Sequence, residues 1–152
     1  MKMSLKDWLR NGWLVAHKPS RQEIRDLLAI AERDLRECRA EGLSPDWRLA
    51  IAYNSALQSA SAALVAMGYR SAQNGQHYRI FQSLALTIGA DASLIAKLDA
   101  FRKKRNISDY ERSGSVSEQE AESCMSWPEP SRGLLSFGSR RTTPRFAENN
   151  TG

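Results

Sequence analysis

The sequence predicts an all-α fold, an antiparallel bundle of four to five helices. Apolar residues recur at spacings of three and four along the first 122 of the 152 residues, which is the periodicity of helices with one buried face. No run of residues alternates apolar and polar side chains as a half-buried strand does. We therefore predict one helical domain at residues 1–122. Residues 123–152, rich in Ser, Gly, Arg, Pro and Asn, are predicted to be a disordered basic tail.

Capping residues place the predicted helices along the chain. Ser20 and Glu23 form a capping box, in which the Glu23 side chain is expected to reach back to the cap amide. Ser44 as N-cap and Pro45 at the first helical position open the longest helix. Further helical stretches are predicted within residues 1–15, from 77 to 89, from 91 to about 112, and from 117 onward.

The longest uncharged stretch, residues 49–69, is long enough to consider as a membrane span. It is rich in alanine and contains Asn54, so we interpret it as the buried central helix of a soluble protein with no membrane partner. No signal peptide is visible at the start of the chain. The two cysteines, Cys38 and Cys124, form no CxxC pair, so neither a zinc site nor a disulfide framework is expected. We predict a cytoplasmic protein without a metal or cofactor.

The positive charge is concentrated in one helix. The formal net charge is +5, and the run from Arg102 to Arg105 supplies four cations. Leu94, Leu98 and Phe101 step along one helical face, and the next step of four residues lands on Arg105. An arginine therefore occupies a position where the apolar stripe should continue.

Two interpretations of this arginine stay open. In the first, Arg105 forms a structural ion pair with Asp109 one turn later. In the second, the helix is an anion site, in which Arg105 offers a planar fork of donors to a phosphate while Asn106 and Tyr110 add neutral hydrogen bonds. No histidine lies in this segment to act as a general acid or base.

Residues 101–110 resemble the signature helix of the HEPN superfamily, small α-helical bundles found in prokaryotes and eukaryotes. The chain is similar to a bacterial subgroup that resembles the helical C-terminal domain of kanamycin-type nucleotidyltransferases. The resemblance covers about residues 5–122. Its wider context consists of residues 52–57, 68–70, 77–78 and 98–99.

The resemblance implies a function directed at RNA or nucleotides. Many HEPN proteins are metal-independent endoribonucleases and toxins that form homodimers and are paired with a nucleotidyltransferase antitoxin. Their motif places an arginine, a polar residue and a histidine at the catalytic centre. Arg105, Asn106 and Tyr110 take these catalytic positions here, with Tyr110 where the histidine would stand. A phenol, whose ordinary pKa is near 10, transfers protons poorly at neutral pH, so whether the protein is an enzyme stays open.

Five further residues are candidates for substrate binding. His77 either caps a helix at the surface or lines the cleft and replaces the motif histidine from another helix. Asn54 either bonds a neighbouring helix or faces the motif. The remaining candidates are Arg102, Lys103 and Asp109.

Three hypotheses of function follow. The protein is an RNA-directed HEPN protein, the toxin component of a toxin–antitoxin pair. Alternatively, it is a non-catalytic helical module that binds a nucleotide, a nucleotidyltransferase or another protein. In the third hypothesis it is a purely structural helical protein in which Arg105 and Asp109 form an ion pair.

Overall fold

The computed structural model describes residues 3–72, 77–111 and 116–125, and this part of the chain is mainly α-helical. The predicted tail from residue 126 onward lies outside the described residues. The helices are α1 (Leu5–Arg10), α2 (Arg21–Glu37), α3 (Pro45–Ala66), α4 (His77–Gln82), α5 (Leu84–Thr87), α6 (Ala92–Glu111) and α7 (Glu118–Met125). Two short strands, β1 (Leu14–Ala16) and β2 (Tyr69–Ser71), lie between them in the chain.

The two strands correct the prediction that the chain contains no strand. They pair antiparallel, with Leu14 opposite Ser71 and Ala16 opposite Tyr69. Each strand has only three residues, which is too short for an alternating pattern to stand out in the sequence. The pairing gives hydrogen-bond partners to backbone groups that no helix satisfies. The fold is therefore mainly α rather than all-α.

The predicted N-caps of α2 and α3 are confirmed, but the capping box of α2 is incomplete. The Ser20 hydroxyl accepts a hydrogen bond from the Glu23 backbone amide at 3.1 Å. The Glu23 carboxylate, however, lies 2.7 Å from Nε2 of His17 instead of bonding the cap amide. The imidazole is a competing partner that the local pattern does not reveal. At α3, the Ser44 hydroxyl accepts from the amide of Trp47.

The helix predicted from residue 77 to 89 is divided into α4 and α5 at Ser83. The Ser83 side chain is fully buried and donates a hydrogen bond to the carbonyl of Ile80 at 2.6 Å. A serine hydroxyl that bonds the preceding turn competes with the regular helical ladder. The consequence is that α4 has only six residues.

The core is organised around α3. This helix packs against α2, α4, α5, α6 and α7, and thirteen of its residues are buried. Alanines such as Ala52 and Ala60 are fully buried, so neighbouring helices approach α3 closely on several sides. By length and composition alone α3 could cross a membrane, but most of its surface is covered by the rest of the protein.

The helix α7 continues past the predicted domain boundary at residue 122. Its Ala121 and Cys124 are buried in the same core cluster as the α3 residues. Two ion pairs hold it to the preceding helices, one between Arg48 and Glu118 at 3.5 Å and one between Lys104 and Glu120 at 3.2 Å. The folded domain therefore extends at least to residue 125.

A larger side chain on the buried face of α3 is expected to destabilise the protein. We predict that Ala60→Leu lowers the free energy of unfolding by about 1–3 kcal/mol, because the fully buried Ala60 leaves no room for three more carbon atoms. Urea unfolding followed by circular dichroism measures the change. The matched control is Ala29→Leu, at an exposed position of α2. Equal unfolding midpoints for the two variants would contradict the close packing around α3.

Candidate functional site

The arginine predicted to interrupt the apolar stripe of α6 lies at the edge of the core. Leu98 and Phe101 are buried as the stripe requires, and Arg105 is half-buried one turn later. The guanidinium carbon of Arg105 lies 5.2 Å from the centroid of the Tyr53 ring, a cation–π contact. The apolar face of α6 therefore continues into Arg105, whose guanidinium lies against Tyr53 of α3.

Tyr53 joins the cation to a histidine of another helix. Its ring is 2% exposed and packs edge-on against Phe81 with the ring centroids 5.6 Å apart. The Tyr53 hydroxyl and Nδ1 of His77 share a hydrogen bond of 2.8 Å. Burial raises the pKa of Tyr53 to about 12, despite the opposing charges of Arg105 and Arg102. The phenol is therefore neutral at physiological pH and holds the imidazole of His77 at the edge of the core.

The same surroundings keep His77 neutral. Burial, followed by the positive charges of Arg105 and Arg102, lowers the pKa of His77 below its usual value of 6.5. In the tautomer with the proton on Nε2, Nδ1 accepts the hydrogen bond from the Tyr53 hydroxyl; in the tautomer with the proton on Nδ1, the imidazole donates to the Tyr53 oxygen and Nε2 is left as a proton acceptor. The structure places His77 at the start of α4 and beside the cations of α6.

Arg102 lies one turn before Arg105 and is anchored by Asp99. Its Nε donates to the Asp99 carboxylate at 2.7 Å, and Lys103 lies 3.5 Å from the second oxygen of that carboxylate. Burial raises the pKa of Asp99, but the hydrogen bond from Arg102 and the two cations outweigh it, so the net shift is downward. The guanidinium carbon of Arg102 lies 5.6 Å from the ring centroid of Tyr78.

The described part of the site carries more positive than negative charge. Lys104 pairs with Glu120 of α7, while Arg102 and Lys103 share the single carboxylate of Asp99. Arg105 adds a further cation beside Tyr53. An anionic group that approaches this turn therefore meets guanidinium and ammonium donors from successive residues of α6. We refer to Arg102, Arg105, His77, Tyr78 and Tyr53 as the cationic cluster.

A further cation–π contact joins α4 to the N-terminal part of the chain. The guanidinium carbon of Arg79 lies 3.5 Å from the ring centroid of Trp13 and 6.0 Å from that of Trp8. The two tryptophan rings themselves meet edge-on at 5.6 Å. Residues near the N-terminus therefore help to position the short helix that carries His77 and Tyr78.

Asn54 lies next to Tyr53 in sequence but binds a different helix. Its amide nitrogen donates to the Asp34 carboxylate at 2.6 Å, and its oxygen accepts from Gln58 at 3.4 Å. Asp34 is 5% exposed and also accepts two hydrogen bonds from Arg33. Of the two alternatives for Asn54, the structure therefore shows the bond to a neighbouring helix, at the contact of α2 and α3.

Three of the candidates lie outside what the structure describes. The backbone of α6 includes Asn106, Asp109 and Tyr110, but their side chains are not among the described residues, and the predicted ion pair of Arg105 with Asp109 falls there as well. Lys103 is described, and its side chain is exposed. Of the predicted site residues, the structure thus brings together Arg105, Arg102 and His77.

Two residues of the cationic cluster were not predicted as site residues. These residues are Tyr53 on α3 and Tyr78 on α4. Their contacts join helices that are distant in sequence, so no local spacing points to them. The adjacent pair of His77 and Tyr78 just after a polar loop is the one sequence signal that could have indicated this surface.

No group of three or more histidine, cysteine or acidic side chains that could hold a metal ion occurs among the described residues. In comparisons with protein-family models, curated proteins and solved structures, nothing matched this chain. The resemblance to HEPN proteins therefore stays a prediction, carried by the residues of α6 and their context.

The neutral state of His77 leads to a pH prediction. Because folding lowers the pKa of His77, its contribution to the free energy of unfolding is fully present above pH 6.5 and is lost as the pH falls through the lowered pKa. We predict that Arg105→Gln raises the pKa of His77 toward its usual value of 6.5 without reaching it, because burial is the larger cause of the lowering. NMR titration of the imidazole protons measures this pKa, with His17→Gln to assign the signals.

The control for this titration is Arg25→Gln, which removes one charge from an exposed position of α2. It is expected to leave the pKa of His77 unchanged. A His77 pKa that is the same in Arg105→Gln and in the wild type would contradict the placement of Arg105 beside the imidazole.

Proposed function

We propose that the protein binds RNA or nucleotides and that the cationic cluster is the site of the phosphate. The observation that carries the proposal is the position of Arg105, half-buried where an apolar residue is expected and in contact with Tyr53. A guanidinium fork suits the oxygens of a phosphodiester better than an ammonium group does.

The resemblance to HEPN proteins belongs to this proposal. It adds an antiparallel four- to five-helix bundle, a homodimer with two motifs at one cleft, and pairing with a nucleotidyltransferase antitoxin. The mainly helical fold and the position of Arg105 on α6 agree with it. In this proposal Asn106 contributes neutral donors to the phosphate beside Arg105.

A second candidate function is metal-independent cleavage of RNA, and the state of His77 favours it. A neutral imidazole with Nε2 as acceptor can take the proton of a ribose 2′-hydroxyl. The 2′-oxygen then attacks the phosphorus, the bond to the 5′-oxygen breaks, and that oxygen takes a proton from solvent. Arg105 and Arg102 would stabilise the charge that develops on the phosphate oxygens. His77 would thereby supply the proton acceptor that Tyr110 does not.

Removing the arginine is expected to weaken RNA binding. We predict that Arg105→Ala lowers the affinity for a single-stranded oligoribonucleotide by about ten- to 100-fold, the loss of one hydrogen bond between charged groups. Fluorescence anisotropy measures the dissociation constant, and the wild-type affinity should fall as the salt concentration rises. The control is Arg25→Ala, which removes the same charge from an exposed position of α2.

A thermal melt of each variant separates binding from stability. If Arg105→Ala lowers the melting temperature but leaves the affinity for RNA unchanged, the arginine has a structural function and the proposal is wrong. The proposal is also wrong if the wild type binds neither RNA nor a free nucleotide.

The cleavage candidate has its own test. We predict that His77→Gln retains RNA binding but cleaves RNA about 10²–10⁴-fold more slowly, because this is the usual contribution of a general base to the rate. Gel electrophoresis of labelled RNA measures the rate, and EDTA should not inhibit the wild type. Intact RNA after incubation with the wild type would exclude the nuclease and leave the binding proposal standing.

A further inference from the structure

Tyr78 is a large aromatic residue that the fold leaves exposed at the cationic cluster. It is 46% exposed, although Phe81 on the same short helix is 1% exposed. Burial of an aromatic ring is strongly favourable, so an exposed ring next to a charged site is a candidate contact surface. Its neighbour in sequence is His77, whose ring is held by Tyr53.

The Tyr78 ring is paired with a second planar group from a different helix. The guanidinium carbon of Arg102 lies 5.6 Å from its centroid, and the bond from Arg102 to Asp99 at 2.7 Å restrains the guanidinium. A phenol ring and a guanidinium plane are the two kinds of surface on which proteins stack unpaired bases. Here α4 supplies the ring and α6 supplies the guanidinium.

The Tyr78 ring of α4 contacts α6 at Arg102, one turn before Arg105. Arg105, the residue assigned to the phosphate, is three positions after Arg102 and therefore on the adjoining helical face. A nucleotide carries a flat base and a phosphate joined by one sugar, so a site that binds the whole unit needs an aromatic surface beside a cationic one. The cationic cluster provides both.

We infer that Tyr78 and Arg102 form a stacking surface for an unpaired base, so that the ligand class of the site is the single-stranded nucleotide unit. This inference rests on the proposed function. Bases inside a duplex are covered on both faces by their neighbours and offer no free face to a protein ring. The site therefore discriminates between single-stranded and double-stranded RNA, which a phosphate contact alone would not do.

The test compares three probes on the full chain: a labelled single-stranded oligoribonucleotide, the same strand annealed to its complement, and inorganic phosphate as competitor. We expect Tyr78→Leu to weaken single-strand binding by about five- to 150-fold, the usual range for loss of one stacked base. Its affinity for the duplex should stay as in the wild type. Tyr78→Phe keeps the ring and should restore most of the single-strand affinity.

The matched control is Trp47→Leu, which removes an aromatic ring that is 64% exposed at the start of α3 and should leave both affinities unchanged. A free mononucleotide serves as an additional competitor and distinguishes a small nucleotide from a strand as the natural source of the unit. Displacement by the mononucleotide at concentrations where inorganic phosphate has no effect supports the stacking contact. Displacement by both at equal concentrations contradicts it.

The failures of the two proposals are distinguishable. If Tyr78→Leu leaves single-strand binding intact, or weakens the duplex equally, while Arg105→Ala still weakens both, the stacking inference is wrong and phosphate binding remains. If the wild type binds neither RNA nor the mononucleotide, the proposed function and the inference fail together. A loss in Tyr78→Leu that is matched by a lower melting temperature and is not restored by Tyr78→Phe also overturns the inference.

Discussion

The packing of the helices depends on the small side chains of α3. Its buried alanines let several helices approach one backbone at once, and they leave few large side chains to set the spacing between those neighbours. Tyr53 is the largest fully buried side chain of this helix. It therefore determines where α4 and α6 lie relative to each other, since its ring contacts Phe81 and His77 on α4 and Arg105 on α6.

This arrangement accounts for the electrostatics of the site. Desolvation by the packed helices disfavours a charge on the imidazole and on the phenol alike, and the arginines of α6 disfavour a positive imidazole further. A neutral imidazole and a guanidinium thus lie together on one side of the core. This combination arises from the packing of α3, α4 and α6 rather than from a contiguous motif.

The sequence predicted those parts of the fold and site that depend on local spacing. Caps at Ser20 and Ser44 and the position of Arg105 on the stripe of α6 follow from distances of three and four residues. The contact between Tyr53 and His77 spans 24 residues and depends on how two helices pack, which no window of sequence contains. The local pattern also does not reveal the partner of Glu23, since His17 belongs to the loop before α2. Strands of three residues are too short to carry a pattern.

The stack of Arg79 on Trp13 has a consequence for how the molecule can be divided. A helix of six residues is not stable alone, so α4 keeps its orientation through Phe81 beneath it and through the tryptophans of the N-terminal segment beside it. The residues that would touch a ligand lie between α3 and α6, but Trp8 and Trp13, which help to orient α4, lie before them in the chain. An excised fragment from α3 to α6 would therefore retain every contacting residue and lose the scaffold that orients two of them. A fragment that keeps the site oriented must therefore include the N-terminal segment from Trp8 onward.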